Sequence, residues 1–452
     1  RWKQVLVLFA LPFVALHAQA ATEITQYGIT WTFDQDYQTG QFCNGDYWVV
    51  GPVKITSIAN SWHKNPGPGL DGSMINPPAT EKQGYDKRLN SYVADLNVAE
   101  NGSSLQLKPG ESLVSSVSWL AGEPGCPKIN GGTKEPRPVL RDAAVLTCLE
   151  SVPPEGSFRP PYCGKDKTIR FNKKDLKYDL LPSLSSVSGT PDISKIERSV
   201  ERPWIDHPYQ YLGAMVHPTE NMPQYGKDFS IALGDAALVL LLDFSAEKKE
   251  KLLIGFVQIG IDFAAIADNG GGWPSNGGHH MGRKWPILFA GVMLNDAHMK
   301  DVGQWKTEFQ EDLDTFYISQ AEVDITHSSK WSPDSRAARK TYEVENIGLP
   351  EWGIRHTKDP IADNMDWGAT YRPINNPAYT GWVLAALIMK QREAWNHDPL
   401  FDYVDRATAV DPKSFSSSFV ANMWKTYREK YGPMWVPDNS SDIYSPGKLK
   451  SR

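Results

Sequence analysis

The chain has little of what would make its chemistry easy to read. It carries only four cysteines in 452 residues, Cys43, Cys126, Cys148 and Cys163, and no C-x-x-C spacing, so nothing points to a thiolate zinc site. H-E-x-x-H is absent, and so is G-x-S-x-G, which removes the usual signatures of a zinc protease and of a serine-hydrolase elbow. With a net charge of −6 there is no basic excess, and no nucleic-acid partner is expected. Beyond the first twenty residues no apolar run approaches about 18 residues, so no membrane-spanning helix is expected in the mature chain. Carboxylates in a distinctive context are also missing. Asp34, Asp46, Asp268, Asp363, Asp366, Glu343 and Glu351 are candidates for the acid pair of a glycosidase, but none stands out by its neighbours.

What the chain has in quantity is aromatic surface: 16 Trp, 18 Tyr and 16 Phe. Trp and Tyr combine an apolar face with a polar edge and form platforms for sugar rings, although a large fold also buries many of them. At the N-terminus, Arg1 and Lys3 precede the apolar run VLVLFALPFVAL and an Ala18-Gln19-Ala20 cleavage pattern. Residues 1–20 read as a secretory signal peptide cleaved after Ala20, which predicts a secreted or periplasmic protein. Disulfides are permitted in such a compartment, with a pair among Cys126, Cys148 and Cys163 preferred.

Residues 21–180 are rich in strand and loop signals. YGITWTF, YWVVGPVKITSI, LVSSVSWL, AAVLTCLE and TIRF read as strands, and Asn44-Gly45-Asp46 reads as a turn that sets Asn44 and Tyr47 on a possible sugar-contacting edge. Residues 62–92 form a long polar stretch, a length that favours a ligand-lining loop. From 181 to 452 the pattern changes to helices. Leu252, Phe256, Ile259, Phe263 and Ile266 share one helical face, and KTEFQEDLDTFYIS, TGWVLAALIMKQREAW and SSFVANMWKTYREKYG read as further helices. Consecutive helices of this kind suggest packed antiparallel hairpins.

The densest functional stretch is DNGGGWPSNGGHHMGRKWP, residues 268–286, between two apolar helix patterns. It brings Asn269, Trp273, Asn276, His279, His280 and Arg283 together among six glycines. Such a loop reads as an active-site floor or as a long connector with incidental histidines. Further ligands at metal-binding spacing are lacking, so no metal is expected. A second stretch, DWGATYRPINNPAYTGW, places Tyr371, Arg372, Asn375, Asn376 and Tyr379 in a loop that feeds a helix starting near Thr380. There, a structural ion pair for Arg372 and a packed Tyr379 are as good a reading as a shared cleft.

With an Asn/His loop after a long helix, a later R-x6-Y, and the NGDYWVVGP and NGGHHMGRKWP stretches, the chain resembles polysaccharide lyases of the (α/α) toroid type that act on alginate or glucuronan. The resemblance covers roughly residues 180–430 by architecture. It implies a mainly α fold, an (α/α) toroid or barrel of helical hairpins with a β-rich, loop-rich N-terminal region. It also implies β-elimination on an anionic polysaccharide, with no cofactor. Asn276 and Arg372 would neutralise the uronate carboxylate, His279 or His280 would act as base, and Tyr379, with Tyr371 as rival, would act as acid. Asn269, Trp273, Arg283, Asn44 and Tyr47 would contact substrate. The alternatives are a toroidal glycoside hydrolase with paired carboxylates and a non-catalytic glycan-binding protein.

Overall fold

The computed structural model describes residues 19–99, 104–127, 139–208, 216–219, 226–333, 338–355, 360–367 and 371–450. Most of the expected signal peptide therefore lies outside the described residues, and Gln19 and Ala20 open the first strand. Strands β1 (Gln19–Gln26), β2 (Ile29–Gln41), β3 (Tyr47–Val50), β4 (Val53–Asn60), β5 (Ser73–Ile75), β6 (Leu105–Leu107), β7 (Glu111–Ser118) and β8 (Leu140–Leu149) form one curled sheet. Its order is β5-β7-β8-β3-β2-β4-β6, with β1 paired to β2 off that path. Every pairing is antiparallel except β3 with β8.

Alternation along the strands explains why both faces of this sheet are covered. In β8, Ala144, Leu146 and Cys148 point into a core inside the curl, shared with Trp31, Phe33 and Val49. Ala143 and Val145 point the other way, into the main core. That core takes residues from both sides of position 180, from Met74 to Tyr427.

The helices are α1 (Ile193–Arg198), α2 (Gly226–Leu240), α3 (Ala246–Asp268), α4 (Lys284–Leu294), α5 (Ala297–Lys300), α6 (Gln310–Asp314), α7 (Gln320–Thr326), α8 (Arg372–Ile388), α9 (Arg392–Trp395), α10 (Asp398–Val410) and α11 (Ser418–Tyr427). Two small antiparallel pairs join them, β9 (Thr315–Tyr317) with β10 (Pro350–Trp352) and β11 (Met434–Pro437) with β12 (Gly447–Lys450). Asp192 caps α1 by accepting from the Ser194 N–H, and Ser245 caps α3 by accepting from the Lys248 N–H.

The expected mainly α toroid is not formed, and the likeness to toroidal lyases falls with it. About 35% of the chain is helical and 20% is strand, with a large curled sheet in the N-terminal half. A toroid needs successive hairpins that each pack on the next. Here α3 packs on α4, but α2 packs chiefly on α8, far along the chain. Helical periodicity had reported which face of each helix is buried, not which helix covers it. Two local expectations also change. KTEFQEDLDTFYIS yields only the five-residue α6 before the chain turns into β9, and TIRF belongs to no strand. All four cysteines are free, so the preferred disulfide is not made. Cys148 and Cys163 in fact belong to different cores.

Candidate functional site

The loop of residues 268–286 is fixed at several points by its own polar groups. Trp273 stacks on Phe309, with ring centroids 5.6 Å apart, and its Nε1 donates to Asp206 Oδ2 at 2.6 Å. Gln310, at the start of α6, acts as a clamp. Its Oε1 accepts from the N–H groups of Asn276 (3.2 Å) and His280 (2.9 Å), while its Nε2 donates to Gly277 O (2.6 Å) and Asp314 Oδ2 (2.9 Å). Asn375, in the first turn of α8, donates to the same Gly277 carbonyl at 3.0 Å. Ser275 donates to Asp314 Oδ1 at 2.5 Å. The loop, α6 and the start of α8 thus meet at Gly277.

The electrostatic centre behind the loop is Asp206. Its carboxylate accepts from Trp273 and from Arg283 Nε at 2.9 Å, and His217 Nε2 lies 3.2 Å away. Burial would raise this carboxyl, but Arg283 and His217 outweigh it and hold the group below its ordinary value. Next to it, burial pushes His207 down to about 3, so the ring is neutral. His207 Nδ1 lies 2.9 Å from Pro78 O, which can only accept, so Nδ1 carries the proton and Nε2 accepts from the Tyr85 hydroxyl at 3.1 Å. His280 has the same design: its Nδ1 lies 2.8 Å from Pro274 O, so in the neutral ring Nε2 is the unprotonated nitrogen.

Two buried acids beside the clamp keep their protons to higher pH than an exposed carboxyl does. Burial pushes Asp314 up to about 8, and burial with the neighbouring Asp312 charge pushes Glu311 up to about 7. Glu311 accepts from the Gly282 and Lys284 N–H groups and so anchors the start of α4. A raised carboxyl favours the fold at low pH, and that contribution is lost as pH rises through the folded value. Asp314→Asn mimics the protonated acid without titrating. Its melting temperature relative to the parent is therefore expected to rise steadily between pH 4 and pH 8. A parallel pair of melting curves across that range would show that Asp314 is ionised in the fold.

The expected site residues divide into three groups. Trp273, Asn276, His279, His280 and Arg283 share the clamped loop, and Tyr379 lies on α8, one turn beyond Asn375. Tyr379 accepts from Trp352 Nε1 at 3.2 Å, and burial, then the nearby Asp314, raises its hydroxyl well above the ordinary value. Arg372 lies on the same helix but is committed elsewhere. It is fully buried, pairs with Glu351 at 2.9 Å, and donates to the carbonyls of Asp366, Trp352 and Asn364. Tyr371 is the half-buried residue before α8. Arg283 is likewise enclosed, donating to His279 O and Met281 O besides Asp206.

The third group lies away from the clamp. Asn269 caps α3 and lines a separate cavity of about 220 Å³ floored by Phe158, Pro161 and Ile261. Asn44 and Tyr47 line a cleft of about 390 Å³ with Tyr27, Glu197, Glu201 and Lys251. Three of the candidate carboxylates are ion-paired with arginine, Asp46 with Arg159, Asp363 with Arg355 and Glu351 with Arg372, while Asp268 and Glu343 lie against His298 and His327. Among the described residues no group of His, Cys, Asp and Glu could hold a metal, and no helix is long and apolar enough to cross a membrane.

Sequence reading missed Asp206, His207, His217, Tyr85, Gln310 and Asp314. Only HPYQYLGAMVHP, with two histidines near an aspartate, carried a local signal for any of them. No protein-family model, no curated protein and no solved structure matches this chain.

Proposed function

We propose that the protein is an exported enzyme that cleaves a uronic-acid-containing polysaccharide by β-elimination. The observation that carries this reading is the tethering of Asn276 and His280 by the Gln310–Gly277–Asn375 clamp, with Tyr379 one turn beyond Asn375 on α8. Elimination requires a base for the C5 proton, an acid for the departing O4 and donors for the charge that develops on the carboxylate. His280 is suited to be the base because its Nδ1–H is tied to a carbonyl, which makes Nε2 the basic nitrogen of the neutral ring. Tyr379, whose hydroxyl oxygen accepts from Trp352 Nε1, is assigned the role of acid. Asn276, half-buried at the edge of the loop, offers its amide to the carboxylate. Arg372, spent on Glu351, is left out of this scheme. No cofactor enters the chemistry.

The first test is ultraviolet absorbance of the unsaturated product, with alginate, glucuronan and other polyuronates, with and without chelator. A chelator-resistant rise on one polymer is expected. Reducing ends released without absorbance would replace elimination by hydrolysis, and one observation favours that second reading. Glu197 lines the Asn44–Tyr47 cleft with its carboxyl raised by burial, while Glu201, four residues on, is ion-paired with Lys251 and Arg202. Carboxyls in such unlike surroundings can divide the roles of acid and base. Under hydrolysis, Glu197→Gln abolishes release of reducing ends and His280→Ala does not.

A further inference from the structure

Arg141, the second residue of β8, lies over two indole rings. Its guanidinium carbon is 4.8 Å from the Trp62 ring centroid and 4.5 Å from that of Trp119. The three residues come from the ends of different strands: Trp62 follows β4, Trp119 follows β7, and the curl of the sheet brings them together. Gly28 makes room for the outer ring. It sits at φ +73, and a β-carbon there would fall 1.8 Å from Trp62.

The guanidinium is short of hydrogen-bond partners. Arg141 Nε is buried with no partner, and so is the neighbouring Trp62 Nε1. The nearest carboxylate oxygen, Glu123 Oε2, is 3.9 Å from Arg141, beyond hydrogen-bond reach. Both local acids are already engaged. Glu123 accepts from Leu120 N–H and contacts His63 Nδ1 at 3.2 Å. Asp71 accepts from Ser118 N–H and Asn60 and contacts His63 Nε2 at 2.7 Å. The Arg141 side chain remains 23% exposed. Stacking occupies the faces of a guanidinium and leaves its in-plane fork, which matches a carboxylate.

We infer that the Trp62–Arg141–Trp119 cluster is a subsite for the carboxylate of an acidic sugar, bound in the plane of the Arg141 fork. The inference rests on the polyuronate reading above. Residues 216–219 connect the two places. Trp119 Nε1 donates to Thr219 Oγ1 at 2.8 Å, and His217, two residues earlier, lies against Asp206, whose partner Arg283 holds the His279 carbonyl.

The test is calorimetric binding of a short oligouronate, its neutral methyl ester and a sulfated oligosaccharide to the full chain and to Arg141→Gln and Arg141→Lys, with melting curves to verify folding. The parent is expected to prefer the free acid to the ester by about tenfold or more, as for one charge-assisted bidentate contact. Arg141→Gln erases that preference and Arg141→Lys keeps only part of it. A folded Arg141→Gln variant that retains the preference would overturn the subsite, and so would tighter parental binding of the sulfated sugar. Elimination without any acid preference would overturn the subsite alone. Acid preference lost in Arg141→Gln, without elimination, would support the subsite and overturn the lyase reading.

Discussion

Arg159→Leu is expected to destabilise the fold by about 3–5 kcal/mol, the usual cost of leaving buried charge unpaired. Arg159 is 1% exposed and joins two buried carboxylates from distant parts of the chain. Its Nε donates to Asp46 Oδ2 at 2.6 Å, in the turn between β2 and β3, and its terminal nitrogens donate to Asp262 on α3 at 3.0 and 2.6 Å. Without the guanidinium, both acids would have to take up protons or admit water. The Arg159→Leu, Asp46→Asn, Asp262→Asn triple variant should recover much of the loss, because an apolar residue beside neutral amides leaves no buried ion. Urea unfolding of the single and triple variants measures both effects. A single variant within about 1 kcal/mol of the parent would mean that water already compensates the pair.

The second large effect concerns activity. His280→Ala is expected to lower the rate of unsaturated-product formation by about 10²–10⁴-fold, the usual contribution of a positioned acid or base. His280 is 1% exposed, and its ring is oriented through Nδ1 by the Pro274 carbonyl. Tyr379→Phe removes the proposed acid while keeping the ring that packs against Trp382. It should cost a similar factor in rate, and about 1–3 kcal/mol of stability because the buried Trp352 Nε1 loses its acceptor. Arg372→Lys serves as a contrast, since it should lower stability more than turnover per folded molecule. A His280→Ala enzyme within threefold of the parent would remove this histidine from the chemistry and turn attention to His279 or to the Glu197 cleft.

The sequence made some parts of this arrangement legible and hid others for identifiable reasons. Local signals read well where local physics decides. The Asp192 cap, the Asn44–Asp46 turn and the long α3 all follow from near neighbours in the chain. The loop of residues 268–286 also announced itself, since glycines and polar groups between two buried helices are locally unusual. What could not be read was pairing at a distance. Gln310 and Asn375 meet at Gly277 from separate segments, and neither has a motif of its own. The same limit produced the toroid: helical faces were visible, but the α2–α8 contact and the curl of the sheet were not. Arg372 shows the point for one residue. An arginine in the first turn of a helix looks the same in sequence whether it awaits a substrate carboxylate or already holds Glu351.

The α2–α8 crossing also bears on how the chain reaches its final form. Gly234 and Gly381 face each other so closely that a β-carbon on Gly381 would lie 2.9 Å from the Gly234 Cα. Backbone meets backbone there with no side chain between, so the register of the two helices is set by a single narrow fit. The helices belong to distant segments, and the chain between them must be largely arranged before they can engage. The crossing should therefore form late in folding. A bulkier residue at Gly381 would mainly accelerate unfolding and leave the early folding rate almost untouched.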